Sequence, residues 1–340
     1  MLECLAVIAQ IATSLREREP GMREKERRGV STSAAQGLID VIVVGGGRPA
    51  GMSAALLLGR CCRRVLLVDA GHPRNWASSA LWGYLSRDGI APAEFRARSR
   101  EQLARYENVE FREDCVTDVR CRVDGTFDVY LESDPTPRRT RALLLATGLV
   151  DRLPKVSGLA PLFGTSVFEC PYCDGWQFRG KRLGAYGNGS SAMGLARALK
   201  AWSEHVHWFT DGPTTVSARD RLTCERNGIA VVNACVARLA AEGLELRAVE
   251  LDDGRKIPLD ALFVDTVVEF QSALTQRLGC ERTEEGGIAV DRYQATTIPG
   301  VFVAGNIVRD LQLAIVAAAE GAKAAIGVNH YLNDRDLDVA

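Results

Sequence analysis

Apolar runs closed by glycine punctuate this chain at regular intervals. Ile39-Asp40-Val41-Ile42-Val43-Val44 is nearly all apolar, the pattern of a parallel strand covered on both faces. Gly45-Gly46-Gly47 follows, then a helical stretch from Met52 to Gly59 and a second apolar run from Arg64 to Asp69. That order is a βαβ unit. Pro92 to Tyr106 has a helical pattern, and Val119 to Leu131 alternates as a hairpin turning at Asp124-Gly125. Leu143 to Gly148 reads as another buried strand. The same grammar then restarts. Arg182 to Tyr186 is a strand, Gly187-Asn188-Gly189-Ser190-Ser191-Ala192 a turn, Ala192 to Trp202 a helix and His205 to Phe209 a strand. Leu246 to Leu251 and Ala261 to Val268 are further strands. Gly300 to Asn306 is a closing strand, and Leu311 to Tyr331 a long helix rich in alanine.

The repetition predicts an α/β fold of two Rossmann-like, three-layer ββα nucleotide-binding domains, the second inserted in the first. Residues 38–150 and 290–340 would form the first, and 151–289 the inserted one. Residues 1–37 read as an N-terminal extension expected to be disordered or loosely docked. Leu5 to Leu15 could form a short helix there, and Arg16 to Arg28 is dense in charge. No basic residues precede the apolar part and no cleavage site follows it, so a signal peptide is not expected. Translation beginning at Met22 is the other reading.

A length of 340 residues accommodates two domains of about 150 residues each. The net charge of −1 gives no reason to expect nucleic acid or an anionic membrane as partner. No apolar run approaches the roughly 18 residues of a membrane span, and a cytoplasmic location is expected. The ten cysteines are mostly scattered. Cys61-Cys62, Cys115, Cys121, Cys224, Cys235 and Cys280 read as small packing residues. One Cys-x-x-Cys without a histidine pair is too little for zinc, so no metal is expected.

The first glycine turn carries chemistry. A dinucleotide diphosphate sits at a helix N-terminus, where free N–H groups and the dipole favour anions. Gly45 and Gly47 let the chain turn and approach the phosphates, Pro49 opens the helix, and Ala50 can serve as the third small residue. Asp69, 24 positions after Gly45, is placed to accept the ribose hydroxyls. Arg48 is one residue more than the common flavoprotein turn contains. At the second turn the arginines that a 2′-phosphate requires are missing. Thr210-Asp211-Gly212-Pro213 stands there instead. NADPH binding is therefore disfavoured, while NADH stays open.

Cys170-Pro171-Tyr172-Cys173-Asp174-Gly175 is the third chemical motif. Two thiols three apart can close a disulfide, and a helix N-terminus would stabilise their thiolates. Asp174 can carry protons for them. His72, His205, His207 and His330 supply no obvious base. Near the C-terminus, Gly305-Asn306 closes a strand, where Asn306 can hold a ribityl chain. The helix start around Leu313-Ala314 can stabilise negative charge on a reduced ring.

Together, Gly45 to Gly51, Asp69, Ala146-Thr147-Gly148, Cys170 to Gly175, Gly187 to Ala192 and Thr297 to Asn306 resemble the low-molecular-weight thioredoxin reductase family over about residues 38–335. The resemblance implies FAD in the discontinuous domain, with Asn75 and Gly148 among its neighbours. It implies Cys173 facing the flavin, Cys170 exchanging with substrate, and a homodimer. Three departures stand out: no arginine cluster for NADPH, Asn306 where the family usually has Asp, and a Cys-Pro-Tyr-Cys site with a divergent segment from Arg74-Asn75 to Asp88-Gly89. These are similar to a dithiol oxidase branch that closes disulfides in microbial natural products. A small dithiol substrate with O2 as electron acceptor is the expectation. A NAD(P)H-dependent disulfide reductase, a redox sensor and a flavin reductase are the alternatives.

Overall fold

The computed structural model describes residues 38–337 apart from 215 and 310. The expected extension over 1–37, its short helix and the Met22 start lie outside the described residues. The first βαβ unit is β1 (Leu38–Val44), α1 (Pro49–Arg60) and β2 (Val65–Asp69). Then α2 (Pro92–Leu103), β3 (Val109–Glu113), β4 (Val116–Cys121), β5 (Phe127–Leu131) and β6 (Asp134–Leu145) follow. The hairpin between β4 and β5 turns where the sequence indicates, with Gly125 at φ 72°. The second half comprises β7 (Leu149–Arg152), β8 (Val167–Phe168), α3 (Pro171–Asp174), β9 (Leu183–Tyr186), α4 (Gly189–Leu199), β10 (Val206–Phe209), α5 (Ala218–Arg226) and β11 (Ile229–Val232). After them come β12 (Val236–Glu242), β13 (Glu245–Leu251), β14 (Lys256–Pro258), β15 (Ala261–Val264), β16 (Val267–Phe270), α6 (Leu274–Arg277), β17 (Val301–Val303) and α7 (Ala314–Asp336).

Two sheets with parallel cores organise these elements, as the α/β reading expects; in the first, β4 and β5 continue antiparallel from β6 as a meander. One runs β3-β2-β1-β6-β5-β4, with β17 beside the apolar end of β6. The other runs β11-β10-β9-β15-β8 and is parallel throughout. Each is covered by helix on one face and antiparallel strands on the other. In the first, Val43, Leu67 and Leu144 pack against Leu58 of α1 and Val328 of α7, while Val44, Val68 and Leu145 face Val119 and Val129 of the meander. In the second, Leu183, Trp208 and Phe263 meet Ala196 and Leu199 of α4, while Val264 and Leu262 meet Leu246 and Val249 of the β12-β13-β14 sheet. Stripes that alternate along each strand therefore bury two different layers.

β7 and β16 pair antiparallel, so the two stretches of chain crossing between the sheets form one ribbon. The single strand expected over Ala261 to Val268 is thus two, broken at Asp265-Thr266, because its halves serve different sheets. Residues 271–289 were expected with the inserted part. Leu274, Cys280 and Ile288 instead pack in the core of the first sheet. β6 begins well before the expected Leu143, because its first half is polar, contains Pro135 and Pro137, and pairs only with β5 and β1. The final helix starts at Ala314, three residues after the expected Leu311. Of the scattered cysteines only Cys224 and Cys280 are buried; Cys115 is intermediate, and Cys61, Cys62, Cys121 and Cys235 are exposed. Cys61 and Cys62 lie past the end of α1, where Cys62 turns the chain at φ 59°, so they are not the helical packing residues expected.

Candidate active site

The open end of the first parallel sheet is built by the glycine turn. Gly45 and Gly46 both donate to the Val68 carbonyl, which folds the chain back over β2. Gly45 sits at φ 107°, a conformation that favours glycine. A Cβ at Gly47 would overlap the Asp69 carboxylate. The helix then starts without a side-chain cap and without an acid in its first turn. Its first N–H groups are left for an external anion. The third small residue of the turn is Gly51 and not the expected Ala50, because a Cβ at Gly51 would lie 2.5 Å from the Gly45 carbonyl oxygen. The inserted Arg48 moves that close approach one position along. Ala50 is small for another reason: Gly305 and Gly321 pack directly against it.

A cavity opens from this turn toward the redox pair. Gly47, Arg48, Pro49 and Ala50 line it at one end, and Cys173 and Asp174 at the other. Asn75, Gly148, Gly305, Asn306, Leu313 and Ala314 line it between them. The predicted residues are therefore brought together, with three outside the lining. Gly45 lies beneath the turn. Cys170 does not line the cavity. Asp69 is buried at the tip of β2, bonded by Arg100 at 3.1 Å and by the Gly71 N–H at 3.1 Å. A second helix start, that of α7 at Leu313-Ala314, also faces the cavity without a cap or an early acid. Thr147, buried between two lining residues, has an Oγ1 without a hydrogen-bond partner among the described residues.

Cys170 and Cys173 are joined in a disulfide, with Cα atoms 5.3 Å apart. Cys170 caps α3, and its Sγ accepts from the Cys173 N–H at 3.2 Å. That helix spans four residues, so the dipole expected to stabilise both thiolates is short, and the local N–H is the firmer support for Cys170. Tyr172 and Trp176 are exposed beside the pair. The Asp174 carboxyl is pushed up to about 7, first by burial and then by the nearby charge of Glu169. Glu169 is itself raised, chiefly by burial and next by Asp151, against the pull of Arg74. Glu169 lines the cavity and escaped the sequence reading. Its signal was a lone acid directly after the two buried residues of β8 and before Cys170. Arg74, also in the lining, is held in bidentate fashion by Asp151 at 2.5 and 2.6 Å.

At the second glycine turn the polar side chains have partners within the protein. Asp211, at the tip of β10, is engaged inside the protein. The Tyr186 hydroxyl donates to its Oδ2 at 2.6 Å and the Val236 N–H to its Oδ1 at 2.8 Å. Ser191 in the turn bonds Asp265 at 2.8 Å.

A family model described as pyridine nucleotide-disulphide oxidoreductase matches residues 39–321. The chain belongs to that family. Thioredoxin reductase tcpT of Claviceps purpurea is 32% identical over 283 residues, covering 79% of this chain and 86% of its own. Thioredoxin reductase aclD of Aspergillus oryzae is 28% identical over 86% of this chain and 95% of its own. The crystal structure of HlmI superposes with a TM-score of 0.84 at 36% identity, covering 88% of this chain and 94% of that one. A putative thioredoxin reductase TrxB from Bacillus anthracis gives a TM-score of 0.82 at 28% identity, over 88% and 99%. This family member is a low-molecular-weight thioredoxin reductase-like, FAD-dependent oxidoreductase with two Rossmann-type domains. Pyridine nucleotide binding is typical of the family. The cavity fits FAD: two uncapped helix starts face it and could bind an anionic group, and it joins the glycine turn to Cys173. Among the described residues no helix is long and apolar enough to cross a membrane, and no His, Cys, Asp and Glu cluster could hold a metal ion.

Proposed function

We propose that this family member is a dithiol oxidase, closing an intramolecular disulfide in a small-molecule dithiol. The observation that carries the reading is the contrast between a redox disulfide reaching into the flavin cavity and a second nucleotide turn whose acid is engaged internally. One substrate thiolate attacks Cys170 Sγ and releases the Cys173 thiolate. The second thiolate attacks the substrate sulfur of the mixed disulfide and expels Cys170. The substrate is oxidised by two electrons, the protein disulfide becomes a dithiol, and two protons leave the substrate thiols. Asp174, with its carboxyl near neutrality, is suited to take one of them. Pro49, Ala50, Asn306, Leu313 and Ala314 would hold FAD, which would supply a two-electron acceptor open to reoxidation by O2 with release of H2O2.

The test is oxygen uptake. The purified FAD-loaded chain mixed with a small dithiol should consume O2 and release peroxide without any nicotinamide. Absence of turnover with both cysteines intact would overturn the reading. A second reading, a NAD(P)H-dependent disulfide reductase, is favoured by the names of the relatives and by the intact Gly187 to Ala192 turn. Rapid bleaching of the flavin absorbance by NADH or NADPH would select it.

A further inference from the structure

Arg48 is the residue by which this glycine turn exceeds the ordinary pattern, and the reading above leaves it without a task. Its backbone is extended and forms the N-cap position of α1, at φ −116° and ψ 152°. The side chain lies across Gly148, where a Cβ would stand 2.5 Å from Arg48 Nη1. Gly148 is therefore small to let this guanidinium pass. Nη2 donates to the His72 carbonyl at 2.8 Å and to Gln271 Oε1. Gln271 is fixed in turn, its Nε2 donating to the same His72 carbonyl at 3.2 Å and its N–H to the Gly148 carbonyl at 3.2 Å. The guanidinium is thus oriented by neutral acceptors.

Among the described residues no carboxylate lies in ion-pair range of Arg48, and Nη1 and Nε have no hydrogen-bond partner. Arg74, the other arginine of the cavity, is neutralised by Asp151. Burial pulls the Arg48 guanidinium down to about 10, against the attraction of Asp69 and with a smaller push from Arg74. A cation oriented in the cavity wall at an uncapped helix start, with donors to spare, is complementary to a doubly charged diphosphate. We infer that Arg48 is a ligand of the FAD diphosphate, adding a side-chain charge to the backbone N–H groups of the α1 start. The inserted residue then converts a turn that binds through backbone alone into one that also clamps.

The experiment measures cofactor binding, so it stands apart from the oxidase reading. Apo protein is prepared from wild type, Arg48→Ala, Arg48→Gln and Arg48→Lys, and Kd is measured for FAD by flavin fluorescence, and for ADP and riboflavin by competition. Charge-assisted hydrogen bonds of this kind correspond to about 10- to 100-fold in affinity. Arg48→Ala and Arg48→Gln should weaken FAD and ADP by such a factor, leave riboflavin within about twofold, and flatten the salt dependence of FAD binding, while Arg48→Lys recovers part of the loss. The thermal midpoint of each apo protein reports folding separately. Unchanged Kd for FAD and ADP in a folded Arg48→Gln would overturn the inference. So would equal weakening of all three ligands, which would mark Arg48 as a strut between Gly148 and Gln271.

Discussion

The chain builds a glycine turn at the start of a helix twice, and the two copies differ in what stands behind them. At the first, Asp69 lies under Gly47, bonded by Arg100 and the Gly71 N–H, the helix start is uncapped, and Arg48 stands in the wall of a cavity that also reaches Cys173. At the second, the α4 start is uncapped as well, but Asp211 is spent on Tyr186 and Val236, and Ser191 on Asp265. Both turns keep the backbone geometry of a Rossmann turn, and the first lines a cavity shared with the redox pair. Strand burial and helix packing need the glycines whether or not a ligand comes.

The largest expected effect comes from placing an acid at each helix start. Pro49→Glu should leave α1 folded, since a carboxylate in the first turn suits the helix, yet it faces the diphosphate. Two charges about 5 Å apart at an effective dielectric near 20 repel by about 3 kcal/mol, roughly a hundredfold in affinity. FAD titration should show that loss. Ser190→Glu, an acid in the first turn of α4, should leave dithiol-driven oxygen uptake within about twofold. A large fall in uptake for Ser190→Glu would erase the contrast between the turns.

The acids of the two regions offer a pH test. Asp174 carries its proton to about pH 7 in the folded protein, above its ordinary 3.8, because it is buried and Glu169 is near. Dithiol oxidation should rise as pH passes through about 7, and Asp174→Asn should flatten that rise. Stability follows the opposite sign. Between 3.8 and about 7 the native state holds a proton that the unfolded chain has lost, so this group costs stability as pH rises across that window. Asp174→Asn should therefore raise the thermal midpoint at pH 8 and change it little at pH 4. A wild-type midpoint difference that Asp174→Asn does not alter would remove the buried proton from the account. A smaller effect is expected from Glu169→Gln, which deletes only the second cause of the shift. The activity midpoint should move to lower pH by less than about one unit.

The parts legible in the sequence were those where one residue type answers one physical demand. Ile39 to Val44 and Leu143 to Leu145 are apolar because parallel strands are covered twice, and Gly45 and Gly148 are glycine at φ 107° and 67°. Cys170 and Cys173 announce themselves by spacing. What stayed hidden depends on pairing across the chain. The polar half of β6 is a strand only because β5 and β1 flank it, and α5 is a charged surface helix of low apolar content. Glu169 gains its meaning from Asp174, Asp151 and Arg74 meeting around one cavity. Arg48 looked like an interruption of a motif until Gly148 and Gln271 showed where its side chain runs. The role of Ala50 was misassigned because spacing alone does not say which small residue touches Gly45.

The finest test of the two turns asks whether the second can be reawakened. Tyr186→Phe removes the hydroxyl that donates to Asp211 Oδ2, while the Val236 N–H still holds Oδ1 in place. One carboxylate oxygen is then free to accept from a ribose, the role expected of Asp69 at the first turn. The lost hydrogen bond costs about 1 kcal/mol of stability, visible as a small drop in the thermal midpoint. A single recovered acceptor adds about the same amount to binding, so the rate of flavin bleaching by NADH should rise at most about fivefold from a low base. NADPH should gain nothing, because the carboxylate repels its extra phosphate and no arginine cluster follows β10. Fast bleaching by NADPH in the unaltered chain would mean that the Tyr186–Asp211 pair is no obstacle, and the physical distinction between the two turns would then lie elsewhere.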